Sequence, residues 1–287
     1  MNKKLSKFII IFIFSLLLGR EALAKTILLD IDGPINPIVA DYISSGLSEP
    51  GASLAIIRMD TPGGLMDSMR LIIKDMEAAS FPVVVYVGGS GAHAASAGAF
   101  ITLAADLAVM ASGTTIGSAH PVEMGGQGAD GTMESKMVED AAALMRGLAV
   151  RRNRNPEWAE KAVTMSLSAT ALEALELGVI EHIVENFEEL LELLKGKTLT
   201  KHNKEFQLSL GSGIKEYDMS FFRKFLNYIA NPNFTYILLL IGIYGIIYEF
   251  SSPGIGFGAV LGGISLLLAL LSFQIIPINM AGLLLIL

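Results

Sequence analysis

A serine among very small neighbours, two histidines, one lysine and a pair of glycines are the residues whose types and spacing suit hydrolytic chemistry. Ser96 lies in Gly89-Ser90-Gly91-Ala92-His93-Ala94-Ala95-Ser96-Ala97-Gly98, where small flanks let a peptide carbonyl approach its hydroxyl. A serine becomes nucleophilic near neutral pH only when a base takes its proton, and the base is a histidine or a desolvated, neutral lysine. His93 stands three residues before Ser96, His120 lies in Gly117-Ser118-Ala119-His120-Pro121, and Lys136 lies forty positions after Ser96. Spacing alone does not choose among them. By composition alone Lys136 is a solvated lysine at a helix start and His120 a hydrogen-bonded loop residue.

Acyl transfer also needs donors for a developing oxyanion. Asp60-Thr61-Pro62-Gly63-Gly64 offers two glycines in a tight turn with exposed backbone N–H groups. The N–H of Ala97, at a loop-to-helix junction, is a second source. Together they make a two-donor oxyanion hole, each donor contributing up to about 3–4 kcal/mol to transition-state stabilisation. Taken singly, the Pro-Gly-Gly stretch is a turn and Ser96 is an N-cap or a packing residue.

The elements that must position these groups form an alternating series. Apolar and β-branched runs predict strands over Thr26–Ile31, Ser53–Arg58, Val83–Val87 and Leu107–Ala111. Helical patterns fall over Pro37–Leu47, Leu65–Ala79, Ala94–Ala105 and Glu134–Arg152. Such a βα series implies an α/β domain with a largely parallel sheet. Gly125 to Gly131 reads as a flexible surface loop: no strand precedes it and no Gly-Lys-Ser/Thr follows, so it is no phosphate cradle.

The composition demands a membrane as well as a domain. A hydrophobic fraction of 52% over 287 residues, with mean hydropathy +0.54, is too apolar for a purely soluble protein. Residues 1–24 read as a secretory signal, with Lys3, Lys4 and Lys7 before an apolar run and Ala22-Leu23-Ala24 as the cleavage site. Phe234 to Tyr248, Ile255 to Phe273 and Ile275 to Leu287 read as membrane segments. Because the sequence stops within the third, it is expected to be a fragment of a longer protein. Arg223 and Lys224 would by the positive-inside rule lie in the cytoplasm, whereas a signal peptide exports the preceding domain. The latter carries more weight, since a few flanking charges do not orient a large translocated domain. The expected location is the cell membrane, multi-pass, with the domain outside the cytoplasm.

The region before the spans is less regular. Gly196 to Gly213 reads as a linker or a short β extension, and the domains are expected at 25–195, 196–233 for linker and interfacial segment, and 234–287. Phe221, Phe222, Phe225 and Tyr228 recur at helical spacing with Arg223 and Lys224 between them, as in an amphipathic helix on a bilayer surface. The alternative is the first turns of the following span. A net charge of −7 without a basic stripe excludes a nucleic-acid partner. The absence of cysteine excludes disulfides, thiolate nucleophiles and zinc–thiolate sites. Neither a cofactor nor a metal is expected.

Five motifs taken together resemble the ClpP-class membrane-bound serine proteases of the NfeD, or stomatin-operon-partner, family. They are Asp32-Gly33-Pro34-Ile35-Asn36-Pro37, Asp60-Thr61-Pro62-Gly63-Gly64-Leu65, Ala94-Ala95-Ser96-Ala97-Gly98, Ile116-Gly117-Ser118-Ala119-His120-Pro121, and Ala169 to Glu181. Asn231-Pro232-Asn233 resembles the entry into that family's membrane domain. The resemblance implies a ClpP/crotonase-like spiral αβ domain and a serine–lysine dyad. It assigns Ser96 as nucleophile, Lys136 as general base and the N–H groups of Gly64 and Ala97 as oxyanion donors, with Gly63 and His120 in support. Asn153 departs from the glycine expected before Arg154-Asn155. A hydrophobic stretch of a stomatin-like membrane protein is the implied substrate, a homodimer or larger the implied assembly, and a small C-terminal β-barrel the implied continuation of the long form. Two other classes compete: a non-catalytic scaffold for a stomatin-like protein, and a crotonase-like acyl-transfer enzyme, against which the lack of an evident acyl-CoA site weighs.

Overall fold

The computed structural model describes residues 25–122, 131–210, 213–230, 232–251 and 256–273. The signal-peptide reading of residues 1–24, the glycine-rich loop up to residue 130 and the third apolar segment fall outside them.

Strand β1 (Lys25–Asp32) is followed by α1 (Pro37–Leu47), β2 (Ala52–Asp60), α2 (Met66–Ala78), β3 (Val83–Val87) and β4 (His93–Ala95). Next come α3 (Ala97–Ala104), β5 (Leu107–Ala111), β6 (Thr115–Gly117), α4 (Gly131–Arg151) and α5 (Pro156–Thr164). The chain continues through β7 (Ser168–Thr170), α6 (Ala171–Glu176), β8 (His182–Val184), α7 (Phe187–Leu194), β9 (Thr198–Lys201), β10 (Lys204–Gln207) and β11 (Ile214–Glu216). Helices α8 (Phe221–Ile229), α9 (Pro232–Ser251) and α10 (Phe257–Phe273) follow.

Six strands in the order β11-β1-β2-β3-β5-β8 form one sheet, and every pairing in it is parallel. β3 and β5 are buried at every position, which is why they read as unbroken apolar runs and not as alternation. The fold class inferred from the sequence, an α/β domain with a parallel sheet followed by apolar helices, is the one observed. A second sheet, β4-β6-β7, stands beside the first.

Two helix starts depart from the pattern, α4 beginning at Gly131 and not at Glu134. The helix expected from Ala94 begins at Ala97, because residues 93–95 are claimed as strand β4. Thr61 donates its N–H to the His93 carbonyl at 2.7 Å, and Ala95 donates to the Thr61 carbonyl at 3.0 Å. These tertiary bonds outweigh the helix propensity of alanine.

The end of α4 explains Asn153. Arg154 donates to the Ala149 carbonyl and Asn153 to that of Val150, a Schellman closure that puts Asn153 at φ +55°. Glycine is the usual occupant of this left-handed position, and asparagine is the residue that replaces it at least cost.

Two compact units divide the chain: residues 1–35 with 43–218, and residues 36–42 with 219–287. In the first, the stretch after α7 is more than a connection. β9 and β10 form an antiparallel hairpin, and Lys201 Nζ, buried, donates to the Met76 carbonyl and to Asp106 Oδ2 at 2.7 and 2.9 Å. Desolvation pushes the Lys201 amine below its ordinary pKa, while Asp106 pulls it back up. In the second unit, α9 contains an 18-residue apolar window from Phe234 to Ser251 with mean hydropathy 1.7. At 1.5 Å per residue it spans about 27 Å, close to the hydrocarbon thickness of a bilayer. α10 carries a shorter apolar stretch, Phe257–Ser272. The two helices touch through glycine: a Cβ on Gly262 would lie 2.9 Å from the Gly242 carbonyl, and one on Gly258 2.8 Å from that of Gly245. Glu249 accepts from the N–H groups of Gly256 and Gly258, at the start of α10, at 3.1 and 3.0 Å.

Candidate active site

Ser96 occupies the N-cap position of α3, yet its side chain caps nothing. Its backbone is held at φ +50°, ψ −115°, a conformation that non-glycine residues adopt only when their surroundings impose it. The imposition is visible in the bonds. Ser96 N–H donates to the Gly117 carbonyl at 2.9 Å, and the Ser96 carbonyl accepts from Ala99 at 3.0 Å. The half-buried hydroxyl makes no hydrogen bond among the described residues. A strained strand-to-helix turn presenting a free serine hydroxyl is the geometry of a nucleophile.

The Asp60–Gly64 turn is fastened beside it from two sides. On one side, Thr61 pairs with Ala94 of β4 in a parallel bridge. On the other, Ile35 donates to the Gly63 carbonyl at 2.8 Å, and Leu65 donates to the Ile35 carbonyl at 2.8 Å. This bridge leaves the N–H of Gly64 directed away from Ile35. The N–H of Gly63 is absorbed by the buried Thr61 hydroxyl at 3.1 Å. Among the described residues, the N–H groups of Gly64 and Ala97 donate to no acceptor.

Both glycines are required by space. A Cβ on Gly63 would lie 2.6 Å from Ser96 Cβ and 3.1 Å from its Oγ, so this backbone is in contact with the serine. A Cβ on Gly64 would lie 2.0 Å from the Ile35 carbonyl oxygen. Gly98 does the same service for the helix, since its Cβ would fall 2.5 Å from Thr61 Cγ2. The structure therefore brings together Ser96, Gly63, Gly64 and Ala97.

The three candidate bases are placed differently. His93 Nδ1 pairs with Asp60 Oδ1 at 2.8 Å, and the same oxygen accepts the His93 N–H at 3.0 Å. His120 Nδ1 is bonded to the Val163 carbonyl at 2.9 Å, so that nitrogen serves the packing of α5. Lys136 stands in the second turn of α4, exposed, with no hydrogen bond or ion pair among the described residues. Residues 123–130, which precede α4, lie outside the described residues.

A positioning residue escaped sequence reasoning. The buried guanidinium of Arg154 donates to the carbonyls of Thr102 and Leu103 at 3.1 and 2.7 Å, closing the C-terminal end of the Ser96 helix. It also grips both carboxylate oxygens of Glu181 at 2.8 Å. Its only sequence signal is its place in Arg152-Asn153-Arg154-Asn155-Pro156. Among the described residues no group of three or more histidine, aspartate or glutamate side chains converges as a metal site.

Residues 25–201 match the model of the NfeD1b N-terminal domain, and residues 233–287 that of the NfeD integral membrane domain. The membrane-bound protease PH1510 of Pyrococcus horikoshii is 33% identical over 291 aligned positions, covering 98% of this chain and 65% of that protein. Membrane protein NfeD1b of Bacillus subtilis is 29% identical over 305 positions, covering 96% of this chain and again 65% of the relative. The chain thus spans 65% of the length of these curated relatives. Among solved structures, the 1510-N membrane-bound stomatin-specific protease, as a lysine-to-alanine mutant with a substrate peptide, superposes with TM-score 0.64 at 30% identity, covering 72% of this chain and 97% of that one. Its serine-to-alanine mutant gives 0.61 at 30% identity, covering 69% and 99%.

Proposed function

This chain belongs to the NfeD1b family, and on that premise we propose that it is a membrane-tethered serine endopeptidase in which Ser96 attacks and Lys136 serves as general base. One observation carries the reading: the strained Ser96, its hydroxyl uncommitted, stands against Gly63 with the uncommitted N–H groups of Gly64 and Ala97 on neighbouring backbone. In the proposed reaction the neutral Lys136 amine takes the proton of Ser96 Oγ as the oxygen bonds to the scissile carbonyl carbon. Gly64 and Ala97 donate to the resulting oxyanion. Collapse breaks the C–N bond, and the lysine passes its proton to the departing amine. Water then repeats the sequence on the acyl-serine and releases the second product.

The proposed substrate is a hydrophobic segment of a stomatin-like membrane protein, in line with the stomatin specificity named for the 1510-N protease. The domain is proposed to lie outside the cytoplasm on a multi-pass anchor and to act as a homodimer or larger. The exposure of Lys136 favours a second reading, a non-catalytic scaffold for the same partner. Incubating the full chain in detergent with hydrophobic peptides, as wild type, Ser96→Ala and Lys136→Ala, separates the two. Cleavage by wild type alone supports the dyad, cleavage surviving both substitutions refutes it, and no cleavage by any form supports the scaffold.

A further inference from the structure

Helix α8 lies between the two regions matched by the family models, and its aromatic side chains face outward. A helix resting on a water-soluble body buries its apolar side and shows its polar side to solvent. Here Phe221, Phe222, Phe225 and Tyr228 are 88%, 66%, 47% and 66% exposed. The inward side buries Ile229 and is otherwise fastened by polar contacts. Asn227 Oδ1 accepts from Asn36 Nδ2 at 2.7 Å, and the Arg223 guanidinium pairs with Asp41 at 2.7 Å, both partners belonging to the same compact unit as α8.

An aromatic face of this kind, held outward by polar contacts on its back, matches an apolar medium and not water. The occupant follows from what the face adjoins. α8 ends at Ile229 and α9 begins at Pro232, and the Tyr228 ring meets the Phe234 ring edge-on at 5.3 Å. Phe234 opens the apolar window of α9, and Tyr236 beside it is exposed as well, so the aromatic face of α8 continues into the ring girdle expected at one boundary of a membrane span. We infer that α8 is an interfacial membrane helix whose Phe221, Phe225 and Tyr228 side lies in the bilayer at the headgroup–acyl boundary. Its depth there is about 5–10 Å, as for other helices lying in the interface plane. The inference stands whether or not Ser96 cleaves peptides.

The absence of native cysteine allows a direct test. The full chain carrying Phe221→Cys, Phe225→Cys or Tyr228→Cys, spin-labelled and reconstituted into phosphatidylcholine vesicles, is compared with Lys204→Cys on the exposed β10 strand. Collision with oxygen exceeding collision with a water-soluble nickel complex at the three α8 positions, and the reverse at 204, is the expected result. Preference for the nickel complex at the α8 positions overturns the inference, because the face is then solvated. Low collision with both reagents also overturns it, because protein then covers the face.

Discussion

Ser96 and Lys136 stand in opposite surroundings. The serine is fixed from several directions: Gly117 and Ala99 hold its backbone, Thr61 and Ile35 hold the turn beside it, and Arg154 closes the helix that it begins. The lysine projects into solvent from the second turn of α4. The contrast teaches that the electrostatic half of the proposed site is pre-organised, while the proton-transfer half must be completed by an event that draws Lys136 out of water. This matches the demands of the chemistry. Oxyanion donors act best when rigid, because their reorganisation would be charged to the barrier. A lysine base acts only when desolvated.

The largest effects test whether the two halves act as one unit. Ser96→Ala and Lys136→Ala are each expected to lower kcat for a hydrophobic peptide by about 10⁴-fold or more, with the double variant no worse than either single one. Lys136→Ala leaves the melting temperature unchanged, because an exposed side chain without partners is removed. A fall in stability would mean that Lys136 is structural, and the contrast with Ser96 would break.

Next in size is Gly64→Ala, whose Cβ meets the Ile35 carbonyl oxygen at 2.0 Å. It is expected to lower stability by about 3 kcal/mol and to abolish cleavage. Chemical denaturation of this variant beside Lys136→Ala shows how much more rigidly the serine side is built.

A smaller effect runs the other way. Glycine accepts φ +50° without a Cβ penalty, so Ser96→Gly is expected to stabilise the fold by roughly 1 kcal/mol while losing activity. A destabilised Ser96→Gly would contradict the claim that strain is stored at the nucleophile.

The smallest effect belongs to the sheet edge. Hydrogen bonds from Lys215 and from Lys25 hold the Glu49 carboxyl below its ordinary pKa. Because the folded value is the lower one, the stabilisation is complete above the ordinary glutamate value of about 4.3 and is lost as pH falls through the folded value. Melting temperatures of wild type and Glu49→Gln are expected to differ slightly at neutral pH and to converge in acid. Cleavage at neutral pH is expected to be the same in both.

Much of this architecture is legible in the sequence. Pro37–Leu47, Val83–Val87 and Leu107–Ala111 have the limits expected of them, since buried parallel strands read as unbroken apolar runs and the helix is bounded by a proline at its first position. β4, β6 and β7 were not legible, because three-residue strands have no periodicity and exist through their partners. The nearness of Gly63 to Ser96 was implied by the family resemblance and not by any local pattern, since it arises from bridges between residues far apart in sequence. Asn153 is an intermediate case. Its place was visible as a departure from an expected glycine, but the left-handed backbone that explains it was not.

The central claim is that Ser96 is a nucleophile activated by Lys136, and active-site labelling tests it most directly. The full chain is treated with an alkyl fluorophosphonate and the adduct is mapped by mass spectrometry, in wild type and in Lys136→Ala. The account predicts one adduct, on Ser96, forming at least 10³-fold more slowly when the lysine is absent, roughly the upper part of what a general base contributes. An adduct on another serine, or labelling of Lys136→Ala at the wild-type rate, would contradict it.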